Sequence, residues 1–430
     1  MLLYIGMNYL NYQGNKSRLM DFIKNNGTNY IKKGKALLDI FSGGGAVAFD
    51  FAKTTKVYAN DLEPYSSQLT KGVLYRSKYH KFDDRFFITF DAALKANEKS
   101  LTNLMRPFLD EETIFLENED TPSRLLHLYE SIPTIWNGKY SPLLSGNASI
   151  DNIQNRKLHF SLFTLLYSNN YFGVRQAIEI DSIRCAINSV DCSYNVPYLF
   201  SCLFHAMNAA VFAKDGHMAQ PLSPEKNVFR LFKSRRISIY DVFFETLKAY
   251  DDLPPLFSSD NKVFNEDFLK LIKNYDLSDV GCVYADPPYT DMQYSRYYHL
   301  LNTVYEYKFS TPTMVRGTFT KGLYLENRRQ SEISERKSFL PSLVKLMDFC
   351  HDKGMNLIIS FGYPQNTMLQ RTDRYLTSID NLVESARKSF GKTNVKLIGQ
   401  DYDHANQRNS QKKKVVEYLI LCKGDSHGNK

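Results

Sequence analysis

Residues 283–290 place the strongest constraint on what this chain can fold into. An apolar run at residues 281–285 is followed by Asp286, two prolines and Tyr289. Short apolar runs of this kind are typical of buried strands in parallel sheets. The prolines end such a strand, because neither can donate a hydrogen bond to a neighbouring strand. We therefore predict a stiff turn at the carboxyl end of a strand, the edge where ligands of open α/β sheets bind.

A glycine turn nearer the N-terminus predicts a second ligand-binding element. Residues 36–41 read as a strand, residues 42–45 as a turn with three glycines, and the chain from Ala46 as a helix. Glycines allow a tight turn and let a ligand approach the main chain. The next strand ends in Asp61, in the manner of acids that accept hydrogen bonds from ribose hydroxyls. Together these features favour a site for a nucleoside-containing cofactor.

The alternation of strands and helices defines the expected domains. It fades between about residues 83 and 258, where helical patterns are separated by polar loops, and resumes with a strand that leads into Asp267. We predict a discontinuous catalytic domain at residues 1–82 and 259–430, with a mainly helical domain inserted at residues 83–258. Because parallel strands end at one edge of a sheet, the glycine turn and the acids after the strands should meet there.

Charge and composition narrow the class of protein. The 430 residues carry a net charge of +8, which modestly favours a polyanionic partner. The six cysteines form no Cys-x-x-Cys pair, which argues against a zinc site and a disulfide scaffold and suits a reducing cytoplasm. No apolar run reaches about 18 residues, so we expect a cytoplasmic protein without a membrane segment.

Three basic stretches are candidates for contact with nucleic acid, although each is also compatible with an ordinary solvated surface. Residues 168–175 combine amides, aromatics and an arginine of the type that reads bases. Residues 230–236 are basic with interleaved aromatics, and residues 404–414 form a basic hairpin tip, both suited to phosphates. The predicted nucleic-acid-binding residues are Arg175, Arg230, Lys233, Arg235, Arg236, Arg408 and Lys412.

The order of these motifs resembles the Dam-like class of N6-adenine-specific DNA methyltransferases. The resemblance covers about residues 8–66 and 262–305 and the last strand. It implies a Rossmann-like methyltransferase sheet of the α/β class with an inserted, mainly helical target-recognition domain. The residues that carry it are Gln13-Gly14-Asn15-Lys16, Asp39 to Gly45, Asn60-Asp61, Asp267-Phe268 and Asp286-Pro287-Pro288-Tyr289.

The same resemblance implies an activity and its partners. The expected reaction moves a methyl group from S-adenosylmethionine to the N6 amine of adenine within a specific sequence of double-stranded DNA. A restriction-modification system, with a cognate endonuclease as partner, is one setting it suggests; no metal is expected. By resemblance, Tyr12, Gly14 and Lys16 would line the methionine end of the cofactor, Asp39, Phe41, Gly43 and Gly45 its floor, Asp61 the ribose, and Asp267 and Phe268 the adenine.

The chemistry of the Asp-Pro-Pro-Tyr motif agrees with that expectation. The exocyclic nitrogen of adenine is a poor nucleophile, because its lone pair is delocalised into the ring. Asp286 and the Pro287 carbonyl, held in place by Pro288, can accept its two N–H bonds and draw the lone pair toward the methyl donor. Tyr289 can stack on a base flipped out of the duplex, an interaction worth about 1–3 kcal/mol.

Two other functions remain open from the sequence. One is methylation of an exocyclic base amine in RNA, since the same motif serves some RNA methyltransferases. The other is a non-catalytic nucleic-acid-binding relative, which is disfavoured because every position that the chemistry needs is intact.

Overall fold

The chain forms two compact units. In a computed structural model, residues 16–117, 122–132, 160–213, 217–291, 294–308, 312–326, 328–329, 331–365, 372–404 and 413–424 are described. One unit, the sheet unit, contains Gly14–Leu74, Pro254–Tyr294 and Arg329–Lys430. The other, the helical unit, contains Tyr75–Leu253 and Ser295–Arg328.

The elements are numbered along the chain. The helices in the described residues are α1 (Met20–Gly27), α2 (Ala46–Phe51), α3 (Pro64–Leu74), α4 (Asp84–Glu117), α5 (Pro122–Ser131), α6 (Leu162–Leu166), α7 (Val174–Ser189), α8 (Val196–Ala210), α9 (Val228–Arg235), α10 (Ile239–Lys248), α11 (Phe268–Asn274), α12 (Tyr294–Tyr297), α13 (His299–Glu306), α14 (Arg336–Asp352) and α15 (Ile379–Phe390). The strands are β1 (Ala36–Asp39), β2 (Val57–Asn60), β3 (Lys262–Phe264), β4 (Val280–Ala285), β5 (Met314–Val315), β6 (Thr318–Phe319), β7 (Asn356–Pro364), β8 (Val395–His404) and β9 (Lys413–Cys422).

The sheet unit is organised around a seven-stranded sheet in the order β3-β2-β1-β4-β7-β9-β8. The five strands from β3 to β7 run parallel, while β9 is antiparallel to both β7 and β8. This mostly parallel sheet confirms the predicted α/β class and is consistent with a Rossmann-like methyltransferase fold. Strand β1 lies within residues 36–41, where a strand was predicted, and β4 begins one residue before the predicted run at residues 281–285.

The central strands are buried along their whole length because both faces of the sheet are covered. Every residue of β1, β4 and β7 is buried. Leu38 of β1 lies beside Val283 of β4, which in turn lies beside Leu357 of β7. One core cluster joins these strands to residues of α11, α14 and α15. Such two-sided burial is what makes parallel strands read as continuous hydrophobic runs.

The order of connections reverses between β1 and β4. From β1 the chain proceeds outward through β2 to β3, then returns to place β4 on the other side of β1. In open α/β sheets, the turns that follow two such strands diverge and leave a crevice for a ligand. The glycine turn follows β1 and the Asp-Pro-Pro-Tyr turn follows β4, so both flank that crevice.

The helical unit is built on α4, a helix of 34 residues that packs along α7. The buried residues of α4 recur every three or four positions, as in Phe86, Phe90 and Leu94, which is the spacing of one helix face. In the described part of this unit, the one sheet is the short hairpin of β5 and β6.

In the part of the chain that the structure describes, no helix combines the length and the apolar character needed to cross a membrane.

Candidate active site

The glycine turn after β1 is shaped by two residues with left-handed backbone. Gly43 has φ of 50° and Gly45 has φ of 80°. A Cβ atom added to Gly45 would lie 2.6 Å from the ring of Phe49, which is itself buried. Only glycine avoids both the unfavourable backbone and this contact. The turn therefore presents main chain, without side chains, at the carboxyl end of β1.

Asp61 fastens this turn to the end of β2. Its Oδ2 accepts the Gly43 N–H at 2.8 Å and its Oδ1 accepts the Glu63 N–H at 2.8 Å. Burial raises the pKa of Asp61 above its ordinary value, and these main-chain hydrogen bonds oppose the rise. Asp61, the predicted ribose-binding residue, thus also stabilises the conformation of the glycine turn.

Asp39, the last residue of β1, is buried with one oxygen unsatisfied. Its Oδ2 accepts the Ala48 N–H at 3.2 Å, whereas no described residue hydrogen-bonds to Oδ1. Burial raises the pKa of Asp39 well above its ordinary value, and the charges of Asp286 and Asp61 raise it further. Buried polar atoms are rarely left without a partner, so an orphan at this edge points to a ligand.

Asp267 and Phe268 lie at the start of α11, beside the same edge. Asp267 caps the helix by accepting the Leu269 N–H at 3.0 Å, and it also accepts the Ser331 hydroxyl at 3.0 Å. Phe268 is buried and contacts Phe41 edge-on, with ring centroids 5.1 Å apart. These predicted adenine-binding residues therefore have structural partners of their own.

The Asp-Pro-Pro-Tyr turn holds its carboxylate and its aromatic ring in fixed positions. The Tyr289 hydroxyl donates to Asp286 Oδ1 at 2.9 Å, and the Tyr289 ring contacts Phe361 edge-on at 5.3 Å. Pro287 is buried and Pro288 partly so. Burial raises the pKa of Asp286 to about 6, with the nearby charge of Lys16 opposing the rise.

Lys16 is the cation of this site. Its ammonium lies 3.2 Å from Asp286 Oδ1 and 2.8 Å from Glu417 Oε1, and it also donates to the Tyr289 hydroxyl. The side chain is only 5% exposed. Burial disfavours its charge, but the two carboxylates outweigh burial and raise the pKa of Lys16 above its ordinary value. Lys16 was predicted for the cofactor, yet the contacts described here join it to the Asp-Pro-Pro-Tyr turn.

Glu417 and Ser360 were missed as functional residues by the sequence. Glu417 lies in β9 and is 3% exposed; Ser360 lies in the neighbouring strand β7, opposite Leu419, and donates to Glu417 Oε1 at 2.6 Å. A signal was present, because a glutamate inside the apolar run Val-Val-Glu-Tyr-Leu-Ile-Leu demands a buried partner. The partner itself, Lys16, is too distant in sequence to be found by pattern.

Comparison with known proteins gives a family match within the first half of the chain. Residues 12–208 match the family model described as D12 class N6 adenine-specific DNA methyltransferase. The matched segment is less than half of the chain, and over it the chain is similar to that family. The resemblance inferred from the motifs is thereby confirmed. The match includes the glycine turn and Asp61, and it ends before the Asp-Pro-Pro-Tyr turn.

Several methylases are similar to this chain over most of its length. The chain is 22% identical over 425 residues to the modification methylase LlaI of Lactococcus lactis subsp. lactis, covering 98% of the chain and 56% of that protein. It is 24% identical over 304 residues to the modification methylase StsI of Streptococcus sanguinis, covering 69% of the chain and 36% of that protein. It is 23% identical over 432 residues to the type II methyltransferase M.NlaIII of Neisseria lactamica, covering 96% of the chain and 98% of that protein. The chain thus spans about half the length of the first relative and about a third of the second.

In the helical unit, the environment of Arg235 corrects one of the predicted nucleic-acid contacts. Its side chain is fully buried, forms an ion pair with Glu112, and donates to the side chain of Asn169. Its guanidinium also lies 4.7 Å from the centre of the Phe212 ring. An arginine that is buried and paired in this way cannot contact a phosphate of the DNA backbone. Its role is to anchor the end of α9 in the core.

Arg175 belongs to the same buried network. Its guanidinium donates to Glu179 at 2.8 Å and to the carbonyls of Arg235 and Ile237 at 2.9 and 3.2 Å. Its main-chain N–H donates to Glu112 at 2.9 Å. These contacts hold α7 against the segment after α9. The side chain of Arg175 is still 37% exposed, and its contact with nucleic acid stays a prediction.

The other described basic residues of this stretch are exposed. Arg230, Lys233 and Arg236 lie at the surface around α9. Arg230 donates to the Ala213 carbonyl at 2.7 Å, and Arg236 stacks on Phe232 at 4.4 Å from the ring centre. The predicted residues Tyr12, Gly14, Arg408 and Lys412 lie outside the described residues.

Within the described residues, no group of three or more His, Cys, Asp or Glu side chains is arranged to hold a metal ion.

Proposed function

We propose that this protein transfers a methyl group from S-adenosylmethionine to the N6 amine of adenine in a specific sequence of double-stranded DNA. The observation that carries the proposal is the reversal of strand order between β1 and β4. The glycine turn follows β1 and the Asp-Pro-Pro-Tyr turn follows β4. The family description also names adenine N6 and DNA. Methylation of RNA and a non-catalytic role are not favoured by that match.

The residues of the glycine side fit S-adenosylmethionine. Asp39 Oδ1 is a buried acceptor to which no described residue donates, and Gly43 and Gly45 leave the main chain open to a ligand. Asp39, Phe41, Gly43 and Gly45 would form the floor of the cofactor, Asp61 would accept from the ribose, and Asp267 and Phe268 would border the adenine. When bound, this cofactor supplies a methyl group on a positively charged sulfur.

The residues of the Asp-Pro-Pro-Tyr side activate the amine. Among the described residues, Lys16 and Tyr289 both contact Asp286 through Oδ1. The other oxygen, Oδ2, would accept one N–H of the target amine, and the Pro287 carbonyl would accept the second. Both acceptors are held rigidly by the proline turn, so charge that develops on the amine is stabilised without reorganisation. The ring of Tyr289 would stack on the flipped base.

We propose further that the helical unit is the target-recognition domain, broadly the inserted residues 83–258, and that the sheet unit is catalytic. Around α9, Phe229 is 80% exposed and is followed by exposed Arg230 and Lys233, with exposed Arg236 just beyond the helix. Exposed cations neutralise backbone phosphates, and an exposed aromatic ring can contact an unstacked base. We name Arg230, Lys233 and Arg236 the α9 basic surface and assign it to the DNA backbone.

The relatives suggest the biological setting. Two are named modification methylases and one a type II methyltransferase. We propose that this protein protects DNA within a restriction-modification system in the cytoplasm. A cognate endonuclease would be its partner in that system.

The direct test is methyl transfer by the purified full chain with tritiated S-adenosylmethionine. We expect label in unmethylated duplex DNA and none in RNA of the same sequence. Sequencing of the product should then locate N6-methyladenine at one recurring site. Label in RNA alone, or no label in either nucleic acid, would overturn the proposal.

A further inference from the structure

Glu417 is a carboxylate in the buried interior of a strand, where an ionised side chain requires partners. It occupies the middle of β9, the antiparallel strand beside β7, and is 3% exposed. Burying a carboxylate without partners is strongly unfavourable. Here two donors converge on one oxygen, since Oε1 accepts from Lys16 at 2.8 Å and from Ser360 at 2.6 Å.

The consequence is that Lys16 is shared between two acids. Its ammonium lies 2.8 Å from Glu417 and 3.2 Å from Asp286, and it reaches Asp286 also through the Tyr289 hydroxyl. A single ammonium bound by Asp286 alone would settle directly onto that carboxylate and compete with the target amine for it. The carboxylate of Glu417 attracts the Lys16 ammonium away from Asp286.

We propose that Glu417, oriented by Ser360, is a positioning residue that holds the Lys16 ammonium between two carboxylates so that Asp286 stays open to the target amine. This inference rests on the proposed methylation reaction. Lys16 would then favour the ionised form of Asp286 through its charge without occupying the acceptor that the amine needs. Glu417 itself would not touch the substrate.

The charged groups around Asp286 give the expected direction of a pH effect. From the N-terminal segment Lys16 lowers the pKa of Asp286, and from β9 the charge of Glu417 raises it. Tyr289 of the same turn lowers it by hydrogen bonding, while Tyr284 in β4 and Asp39 at the end of β1 are the other ionisable groups that interact with Asp286. Removing the negative charge of Glu417 should therefore lower the pKa of Asp286.

Glu417→Gln keeps the size of the side chain and removes its charge. We expect kcat to fall about tenfold, because Lys16 would occupy Asp286 more fully. The acid limb of the pH profile should move to lower pH, with little change in affinity for S-adenosylmethionine. A side chain that merely packed the sheet would lower stability and leave the position of the limb unchanged.

Two further variants complete the test. Glu384→Gln, on the exposed side of α15, is the matched control and should keep the wild-type profile. Glu417→Asp keeps the charge but draws the carboxylate away from Lys16. It should lower kcat less and place the acid limb between those of wild type and Glu417→Gln.

A direct titration separates this inference from the proposed reaction. Carbon-13 labelling of aspartate carboxyls, with Asp286→Asn to assign the signal, reports the ionisation of Asp286 without any turnover. We expect its midpoint to move to lower pH in Glu417→Gln. An unchanged midpoint and a wild-type kcat in Glu417→Gln would overturn the role of Glu417; if that variant does not fold, the same result in Glu417→Asp would do so. Absence of methyl transfer in the wild-type protein would overturn the reaction alone.

Discussion

Tyr289 donates its hydroxyl to the carboxylate of Asp286, three residues earlier in the same turn, at 2.9 Å. The hydroxyl is also an acceptor, since Lys16 donates to it. Tyr289 therefore offers two separable functions. Its hydroxyl orients the carboxylate, and its ring provides a stacking surface for a flipped base.

Replacing Tyr289 by phenylalanine should separate these functions. The hydrogen bond from Tyr289 lowers the pKa of Asp286, so its loss should move the acid limb of activity to higher pH. DNA affinity should persist in Tyr289→Phe because the ring remains. In Tyr289→Ala the stacking is lost as well, and kcat/KM should fall by a further factor that corresponds to about 1–3 kcal/mol. Steady-state kinetics across pH on a duplex substrate would show both effects, and identical profiles for the two variants would contradict the division.

Replacing Asp286 by asparagine should abolish methyl transfer and preserve the cofactor site. The amide keeps the shape of the carboxylate but lacks its charge, and loss of one preorganised acceptor lowers kcat by about 10²–10³. Calorimetric affinity for S-adenosylmethionine should stay within about twofold, because Asp286 lies on the other side of the crevice. Asp352→Asn, a change at an exposed carboxylate, is the control. Wild-type turnover in Asp286→Asn would show that the turn is not the reaction centre.

The pH dependence of the wild-type enzyme should report the ionisation of Asp286. Its pKa is raised to about 6 from the ordinary value of 3.8 by burial. A raised pKa means that the carboxylate is lost at higher pH than usual, so activity should fall as the pH drops through about 6. At pH 5 about one site in ten would be ionised, which lowers kcat/KM about tenfold below its plateau. Circular dichroism at pH 5 would distinguish this loss from unfolding.

Two glycines with the same backbone conformation provide a matched test of why the glycine turn requires glycine at Gly45. Gly34 has φ of 76° and Gly45 has φ of 80°, but a Cβ at Gly34 would meet nothing within 4 Å. Gly34→Ala should lose about 1–2 kcal/mol from the backbone alone. Gly45→Ala should lose more, because the new Cβ meets the ring of Phe49, and should weaken S-adenosylmethionine binding about tenfold or more. Urea unfolding and calorimetry measure the two losses, and equal behaviour of the variants would exclude steric control of the turn.

The helical unit contains a buried arginine with a structural role, Arg235, and exposed basic residues such as Lys233. Arg235→Met removes one partner of a buried ion pair and leaves Glu112 uncompensated, so we expect a loss of about 3–5 kcal/mol in stability. Lys233→Ala should leave the thermal midpoint unchanged while weakening DNA binding and reducing the salt slope by about one. Lys95→Ala, at an exposed position of α4, is the control for loss of charge from this unit. Fluorescence anisotropy at several salt concentrations tests the second expectation, and an unaltered slope for Lys233→Ala would exclude it from the interface.

The parts of the site that the sequence predicted are those with a local signal. An apolar run followed by two prolines identifies the end of β4, and an apolar run followed by glycines identifies the end of β1. The two turns are expected to lie at the same edge of the sheet, because the carboxyl ends of parallel strands share one edge. The position of each acid within the crevice followed from that edge alone.

The parts that were wrong or missed depend on partners far away in the chain. Arg235 and Lys233 look alike in sequence, and only the contact with Glu112, 123 residues earlier, places Arg235 in the core. The apolar run around Glu417 predicts a strand, but it does not reveal the ion pair of Glu417 with Lys16. Pairings of this kind are set by the tertiary fold and leave only an indirect trace, a polar residue in an apolar run.

The contact between Lys16 and Glu417 spans 401 residues of sequence, and this separation has a consequence for biosynthesis. A ribosome that adds about 5–20 residues per second needs roughly 20–80 s to travel from one to the other. Throughout that interval the nascent chain contains the lysine but lacks the glutamate that secures it. Asp286 is likewise made long before Glu417. The cluster of Lys16, Asp286 and Glu417 should therefore form only after β9 has been synthesised.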